Sequence, residues 1–245
     1  MLPEGTPQWA IDRVPVAILA GGLATRLLPV TLQLPKSLVP VAGRPFVDHQ
    51  LSLLARRGVR RVVFCLGHLG EQVEQHVGDG SHFGMVVRYS HDGPHLLGTG
   101  GALRRALPLL DDVFWVLYGD SYLDLDYQEV LDHFLSADAL GLMTVVENNN
   151  RWDRSNVLFR EGRLVCYSKR LVHPQMAHID YGLSLLRGAA LERIPASQAS
   201  DLAQLYSELV SEGTMIGHEV LHRFYEIGSP AGRAETEEYL LARGA

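Results

Sequence analysis

Three charged side chains in this 245-residue chain stand in surroundings that suit phosphate chemistry: Arg26, Lys36 and Asp120. The run Val16-Ala17-Ile18-Leu19 is apolar and rich in branched side chains, and it stops at Gly21-Gly22, as a buried strand feeding a tight turn should. Glycines without side chains let backbone N–H groups approach phosphate oxygens, and Arg26, just beyond Thr25, adds a planar fork of permanently charged donors. Lys36, held between Pro35 and a second apolar run, can bring another positive charge to the same place. Farther on, the apolar stretch Val113 to Tyr118 ends in Gly119-Asp120. That puts a carboxylate at the carboxyl end of a central strand, where open α/β sheets bind ligands. A hard cation such as Mg2+ takes one or two protein carboxylates together with phosphate oxygens, so Asp120 is a candidate metal ligand; a plain turn aspartate is the other reading.

The elements that must position these groups follow from periodicity. Apolar residues at helical spacing predict a helix over 47–57, a buried strand over 60–66, a helix over 70–77 and a strand over 85–89. This alternation calls for a parallel, doubly wound α/β sheet. Leu97 to Ala102 is a second glycine cluster, predicted to open a helix over 103–107. It reads either as an ordinary turn or as a strand edge where a flat base can lie against backbone. A helix over 127–135 and a strand over 140–146 come next. After Asn148-Asn149-Asn150 the pattern changes to short strands at 157–159 and 164–167, the texture of a hairpin and of a small lobe beside the main sheet. An amphipathic helix over 201–211 and an Ala/Glu-rich helix reaching Leu241 complete the chain.

A net charge of −6 excludes a non-specific nucleic-acid binder, because phosphate backbones reward a basic face, and 47% hydrophobic residues are enough for a full core. Cys65 and Cys166 each lie in an apolar run and read as buried, reduced thiols. Met1 to Asp12 has no apolar signal core and no run approaches membrane-spanning length, so a cytoplasmic protein without membrane contact is expected. His218-Glu219-Val220-Leu221-His222 is a literal HExxH. A zinc protease needs it on a helix, whereas here it is short, glycine-bounded and followed by Phe224-Tyr225, which reads as a strand.

The string from Val16 to Phe46 resembles the signature of the sugar-phosphate nucleotidylyltransferases in Gly21, Gly22, Thr25, Arg26, Leu27, Pro29, Thr31, Pro35, Lys36, Gly43, Arg44 and Pro45. It departs at Ala24, where the family usually has glycine; if that position needs a positive φ, alanine costs about 1 kcal/mol. The resemblance implies a Rossmann-like, doubly wound, mostly parallel sheet with a small β-rich sugar-binding lobe. It divides a single domain into a nucleotide-binding part, 13–146, and a sugar-binding lobe with C-terminal helices, 147–245. The implied reaction joins an NTP and a sugar 1-phosphate, with Mg2+, into an NDP-sugar and pyrophosphate. The short length and Leu-Gly-Thr-Gly-Gly look closest to members that activate mannose- or heptose-type sugars, sometimes with GTP.

Carried onto this sequence, the resemblance gives Arg26 and Lys36 the catalytic charge neutralisation, and Leu19, Ala20, Gly21, Gly22, Thr25, Gly98 and Thr99 the nucleotide, with Asp92 as the base reader. The metal goes to Asp120 and to Glu226, which precedes Ile227-Gly228-Ser229-Pro230 where the family has an aspartate. Asn156, Lys169, Asp180 and Gly182 meet the sugar phosphate, with Ser168 in place of the acidic neighbour usual before the lysine. A homo-oligomer is compatible with all of this. The competing reading is a catalytically silent relative that binds nucleotide or sugar nucleotide in a regulatory role. A dinucleotide oxidoreductase fails, because Gly21-Gly22 lacks GxGxxG spacing.

Overall fold

Val16–Ala20 forms β1 near the middle of a nine-stranded sheet in the computed structural model, which describes residues 9–171, 173–196 and 198–244. The short β2 (Pro40–Val41) and β3 (Arg44–Pro45) form a separate ribbon and lead into α1 (Phe46–Arg56). Parallel pairing then joins β1 to β4 (Arg61–Leu66) and β4 to β5 (Val86–His91), with α2 (Gly70–Val77) as the second crossover. The chain next forms α3 (Gly98–Ala106) and returns to the other side of β1 as β6 (Val113–Tyr118), again parallel. The direction of winding therefore reverses between β1 and β6, and the carboxyl ends of these two strands open onto one crevice.

A two-residue β7 (Ser121–Tyr122) and α4 (Tyr127–Leu135) precede β8 (Gly141–Glu147). The hairpin of β9 (Val157–Arg160) and β10 (Arg163–Tyr167) leads to the long β11 (His178–Arg187). The short α5 (Gly188–Leu191) and α6 (Leu202–Ser211) precede β12 (Met215–Glu219), and β13 (Tyr225–Glu226) and α7 (Pro230–Ala242) close the chain. β11 lies antiparallel between β6 and β8, and β12 runs parallel to β8. The hairpin sits on this same sheet through the pairing of His178 with Val157, so one sheet runs through both halves of the chain.

In the central strands β1, β4 and β6, residues pointing to both faces are buried, as a doubly covered sheet demands. Val16, Ile18, Phe64 and Trp115 pack under α1, α2 and α4; Ala17, Val63, Cys65 and Phe114 pack under α3 and α6. Cys65 is buried, and burial pushes its thiol pKa up to about 12. Cys166, expected to be buried, is only half-buried, because β10 is an edge strand whose outward residues face solvent.

Two sequence expectations meet a tertiary cause. α3 begins at Gly98, not Leu103, so its glycines belong to the first helical turn. A Cβ on Gly98 would stand 2.6 Å from Ser200 O and one on Gly101 2.4 Å from Gln198 O, so these glycines admit the 198–202 segment. The HExxH is broken as expected of a strand: His218 and Glu219 end β12 and His222 lies in the turn beyond. His218 meets His133 (Nδ1 to Nδ1, 3.0 Å), and Glu219 meets His178 (3.0 Å).

Candidate active site

Two clefts open at the carboxyl ends of β1 and β6. The first, about 250 Å³, is lined by Leu19, Ala20, Gly21 and Gly22 from the end of β1, by Asp92, Gly98 and Thr99, and by Lys36 and Asp120. The two glycines after β1 have different reasons. A Cβ on Gly21 would lie 2.9 Å from Gly67 N, so packing of the neighbouring loop requires it. Around Gly22 no protein atom lies within 4 Å of such a Cβ, and its space faces the cleft. Ala24 adopts φ +49°, a left-handed conformation that costs alanine about 1 kcal/mol, and Thr31 Oγ1 braces it by donating to Ala24 O at 3.0 Å. Thr25 is exposed on this loop and lines neither cleft.

Asp92 is only 6% exposed and accepts a hydrogen bond from Leu97 N at 3.0 Å. Burial raises its carboxyl pKa, opposed by that N–H and by the positive field of Arg105. Thr99 Oγ1 donates to Asp201 and accepts from Leu202 N, so its hydroxyl is spent on holding the start of α6.

The second cleft, about 580 Å³, contains Arg26, Asn156, Lys169, Asp180, Gly182 and Glu226. Tyr118 and Asp120 line both clefts and form their shared wall. Asp180 and Gly182 lie in an irregularity of β11, whose register against β8 shifts between Asp180 and Ser184. Bulges re-aim side chains beside active sites, and Gly182 supplies the positive φ, +96°, that this one needs. Gly182 N donates to Asp180 Oδ1 and Asp180 N donates to Asn156 Oδ1, both at 2.9 Å. Burial raises the Asp180 carboxyl pKa, against the pull of Gly182 N–H and Lys169. Lys169 stands 3.8 Å from Asp201 and over the Tyr118 ring.

Asp120 and Glu226, far apart in sequence, are brought together because β13 pairs with β7: Glu226 lies opposite Ser121, and Ile227 N donates to Asp120 O at 2.9 Å. Glu226 accepts from Gly228 N and, at 2.8 Å, from Ser229 Oγ at the start of α7. A Cβ on Gly228 would stand 2.6 Å from Glu226 Oε2, 2.9 Å from Arg26 Nη2 and 3.0 Å from Asp120 Oδ2. Two carboxylates and a guanidinium therefore face one small volume. Lys36 Nζ reaches the same Asp120 Oδ2 at 2.6 Å from the other side.

Four residues at or behind the site carry no functional motif in the sequence. Gln50, buried on the apolar stripe of α1, donates from Nε2 to Tyr118 O (3.0 Å) and Ser121 O (2.7 Å), clamping the turn that carries Asp120. Its signal was present: a polar side chain in phase with Phe46, Val47, Leu51 and Leu54. Arg151, Trp152 and Arg223 line the second cleft with both guanidiniums over the indole, and nothing in their sequence context marks them. Among the described residues no three His, Cys, Asp or Glu side chains form a protein-only metal cage.

A family model described as nucleotidyl transferase matches residues 16–154, more than half of the chain. The mannose-1-phosphate guanylyltransferase of Mycobacterium tuberculosis is 29% identical over 226 residues, 90% of this chain and 63% of that protein. The UTP–glucose-1-phosphate uridylyltransferase of Synechocystis sp. is 27% identical over 213 residues, 80% of this chain and 55% of that protein. The chain thus spans roughly three fifths of the length of these curated relatives. Among solved structures, HddC from Yersinia pseudotuberculosis has the same fold, with a TM-score of 0.78 at 24% identity over 93% of this chain and 99% of that one. HddC is also known in a complex with GMP-PN.

Proposed function

The chain belongs to the nucleotidyl transferase family, and from that premise we propose that it transfers a nucleoside monophosphate from an NTP to a sugar 1-phosphate. A phosphate oxygen of the sugar 1-phosphate bonds to the α-phosphorus, the bond from that phosphorus to the β-phosphate oxygen breaks, and pyrophosphate leaves. The observation that supports the reading is the shared wall: Asp120 and Tyr118 line both the cleft at the end of β1 and a larger polar one. Two reactants, one in each cleft, would meet at Asp120.

In this reading Leu19 to Gly22, with Gly98 and Thr99, hold the nucleotide, and Thr25 supports the loop from outside the cleft. Asp92, an acceptor when ionised, reads an N–H edge of the base. Arg26 neutralises the departing pyrophosphate, and Lys36 the α-phosphate with the incoming sugar phosphate. Asn156, Lys169, Asp180 and Gly182 hold the sugar phosphate. No general base is needed, because the nucleophile is already an anion; catalysis is positioning plus charge neutralisation.

The convergence of Asp120 Oδ2 and Glu226 Oε2 beside Gly228 is an all-oxygen donor set suited to Mg2+, with phosphates completing the shell. Bound there, the ion would offset the repulsion between the two anionic reactants. A cytoplasmic setting belongs to the same reading and is supported by two free cysteines; among the described residues no helix is long and apolar enough to cross a membrane. The test is a matrix of four NTPs against several sugar 1-phosphates with Mg2+, scored by pyrophosphate release and led by GTP with mannose-type sugars. Release that needs both reactants is the expected result; release with no pair would overturn the reading.

A further inference from the structure

The carboxylate oxygen best placed for a metal already has a cation on it. Lys36 Nζ lies 2.6 Å from Asp120 Oδ2, the same oxygen that faces Glu226 Oε2 and Arg26 Nη2 around Gly228. Around this volume stand two acids, Asp120 and Glu226, and two bases, Arg26 and Lys36, so its formal charge is balanced by the protein alone. The Lys36–Asp120 pair is sheltered, with side-chain exposures of 23% and 22%, which lessens its screening by salt.

A divalent ion arriving alone would have to displace the lysine and leave its ammonium without a partner beside a cleft walled by Leu19, Ala20, Leu96 and Ala102. A triphosphate removes that penalty, because Lys36 lines the nucleotide cleft as well as touching Asp120. Its backbone is fixed in the turn Lys36–Leu38, where Leu38 N donates to Pro35 O at 2.9 Å and Val39 N to Lys36 O at 3.0 Å. The move therefore needs only rotation of a flexible four-carbon stem.

We propose that Lys36 is the resident counter-ion of Asp120 and gives up its place to a divalent cation only when a nucleotide triphosphate takes the lysine. Cation and nucleotide then bind as a coupled pair, and neither binds well alone. This rests on the reading of the first cleft as a nucleotide site, and it adds what that reading leaves open: the protein carries its own stand-in for the metal. Coupling is reciprocal, so each ligand strengthens the other by one common factor, and coupling between two binding sites is typically about 5–150-fold.

The experiment titrates Mn2+ by electron paramagnetic resonance of the free ion, with and without α,β-methylene analogues of GTP and UTP, on the wild-type chain and on Lys36→Met, each corrected by a protein-free titration for the Mn2+ that the analogue itself chelates. In the wild type, Mn2+ alone should bind weakly and tighten at least about fivefold with an analogue present. Lys36→Met should bind Mn2+ alone several-fold tighter than the wild type, and nucleotide should tighten its Mn2+ by a smaller factor than in the wild type, the remainder coming from phosphate oxygens in the metal's shell. Equal Mn2+ affinity in the two proteins without nucleotide would overturn the exchange. So would a wild-type affinity that neither analogue changes, a result that needs no variant to fold. The two readings fail separately: independent binding of Mn2+ and nucleotide in an enzyme that makes NDP-sugar removes only the exchange. Coupled binding in a chain that turns over no reactant pair removes only the reaction.

Discussion

Gly228→Ala tests the convergence of the acids most directly. The backbone at Gly228 is not among the positive-φ positions, so alanine can adopt its conformation. The obstacle is the methyl group, which would lie 2.6 Å from Glu226 Oε2, 2.9 Å from Arg26 Nη2 and 3.0 Å from Asp120 Oδ2, where ordinary contact begins at 3.4 Å. Glu226 must retreat by the best part of an ångström, and Arg26 and Asp120 by about half as much. All three clashing atoms are ends of side chains, so the fold should yield cheaply. Weakening one charge-assisted hydrogen bond to Glu226 costs on the order of 1.5–3 kcal/mol at most. At roughly 2–4 °C per kcal/mol for a domain of this size, melting should fall by no more than about 12 °C.

Catalysis should suffer more, because misplacing a reacting or positioning group by about 1 Å can cost on the order of 10²-fold. The assay is kcat/KM from pyrophosphate release on the best pair in the reactant matrix, beside a thermal melt. A loss near a hundredfold in a protein that still melts cooperatively is the expected outcome. A kcat/KM within twofold of the wild type would mean that the space beside Gly228 is not where the reactants are neutralised.

Two further outcomes follow from the same geometry. Gln50→Met keeps the buried volume of α1 but leaves Tyr118 O and Ser121 O without their donor; an unsatisfied buried group costs about 1–3 kcal/mol, so both the melting temperature and kcat should drop, and an unchanged kcat would deny Gln50 its hold on the Asp120 turn. Asp180→Asn keeps an acceptor for Gly182 N–H. Because burial raises the carboxyl pKa in the folded state, the acid favours folding below its usual 3.8 and loses that contribution as pH rises through the raised value. The variant should therefore gain melting temperature relative to the wild type at pH 7 and lose that advantage near pH 4, measured by fluorimetry; a difference independent of pH would contradict the burial argument.

Much of this was legible in the chain because it depends on local signals. The helix over 127–135 is found at those bounds, and the strand ends at Leu19-Gly21 and Tyr118-Asp120 fall where glycine stops an apolar run. What could not be read depends on partners distant in sequence. The start of α3 is set by Ser200 O, which accepts from Gly100 N at 2.8 Å and Gly101 N at 3.4 Å. The glycines there resembled a loop because the segment requiring them lies a hundred positions away. Arg151 and Arg223 are joined only by the Trp152 ring, which both guanidiniums approach in the folded chain. Gln50 is the instructive case: its polar side chain on an apolar stripe was in plain view, but which carbonyls it serves is tertiary information.

The same distinction explains how Glu226 comes to face Asp120 although it is longer than the aspartate the signature leads one to expect. Had its extra methylene carried the carboxylate forward, it would have met Arg26 and Asp120 head on. Instead the side chain folds back over the start of α7, where Gly228 N and Ser229 Oγ hold both oxygens and a Cβ on Gly232 would come within 1.8 Å of Oε1. The added length is thus absorbed against glycines at both ends of the Gly228–Gly232 turn, and Oε2 still faces the shared volume. The carboxylate is placed here by close approach of the backbone at Gly228 and Gly232. A glutamate at this point therefore needs glycine at both 228 and 232, whereas a shorter acid would leave the space beside Gly232 free.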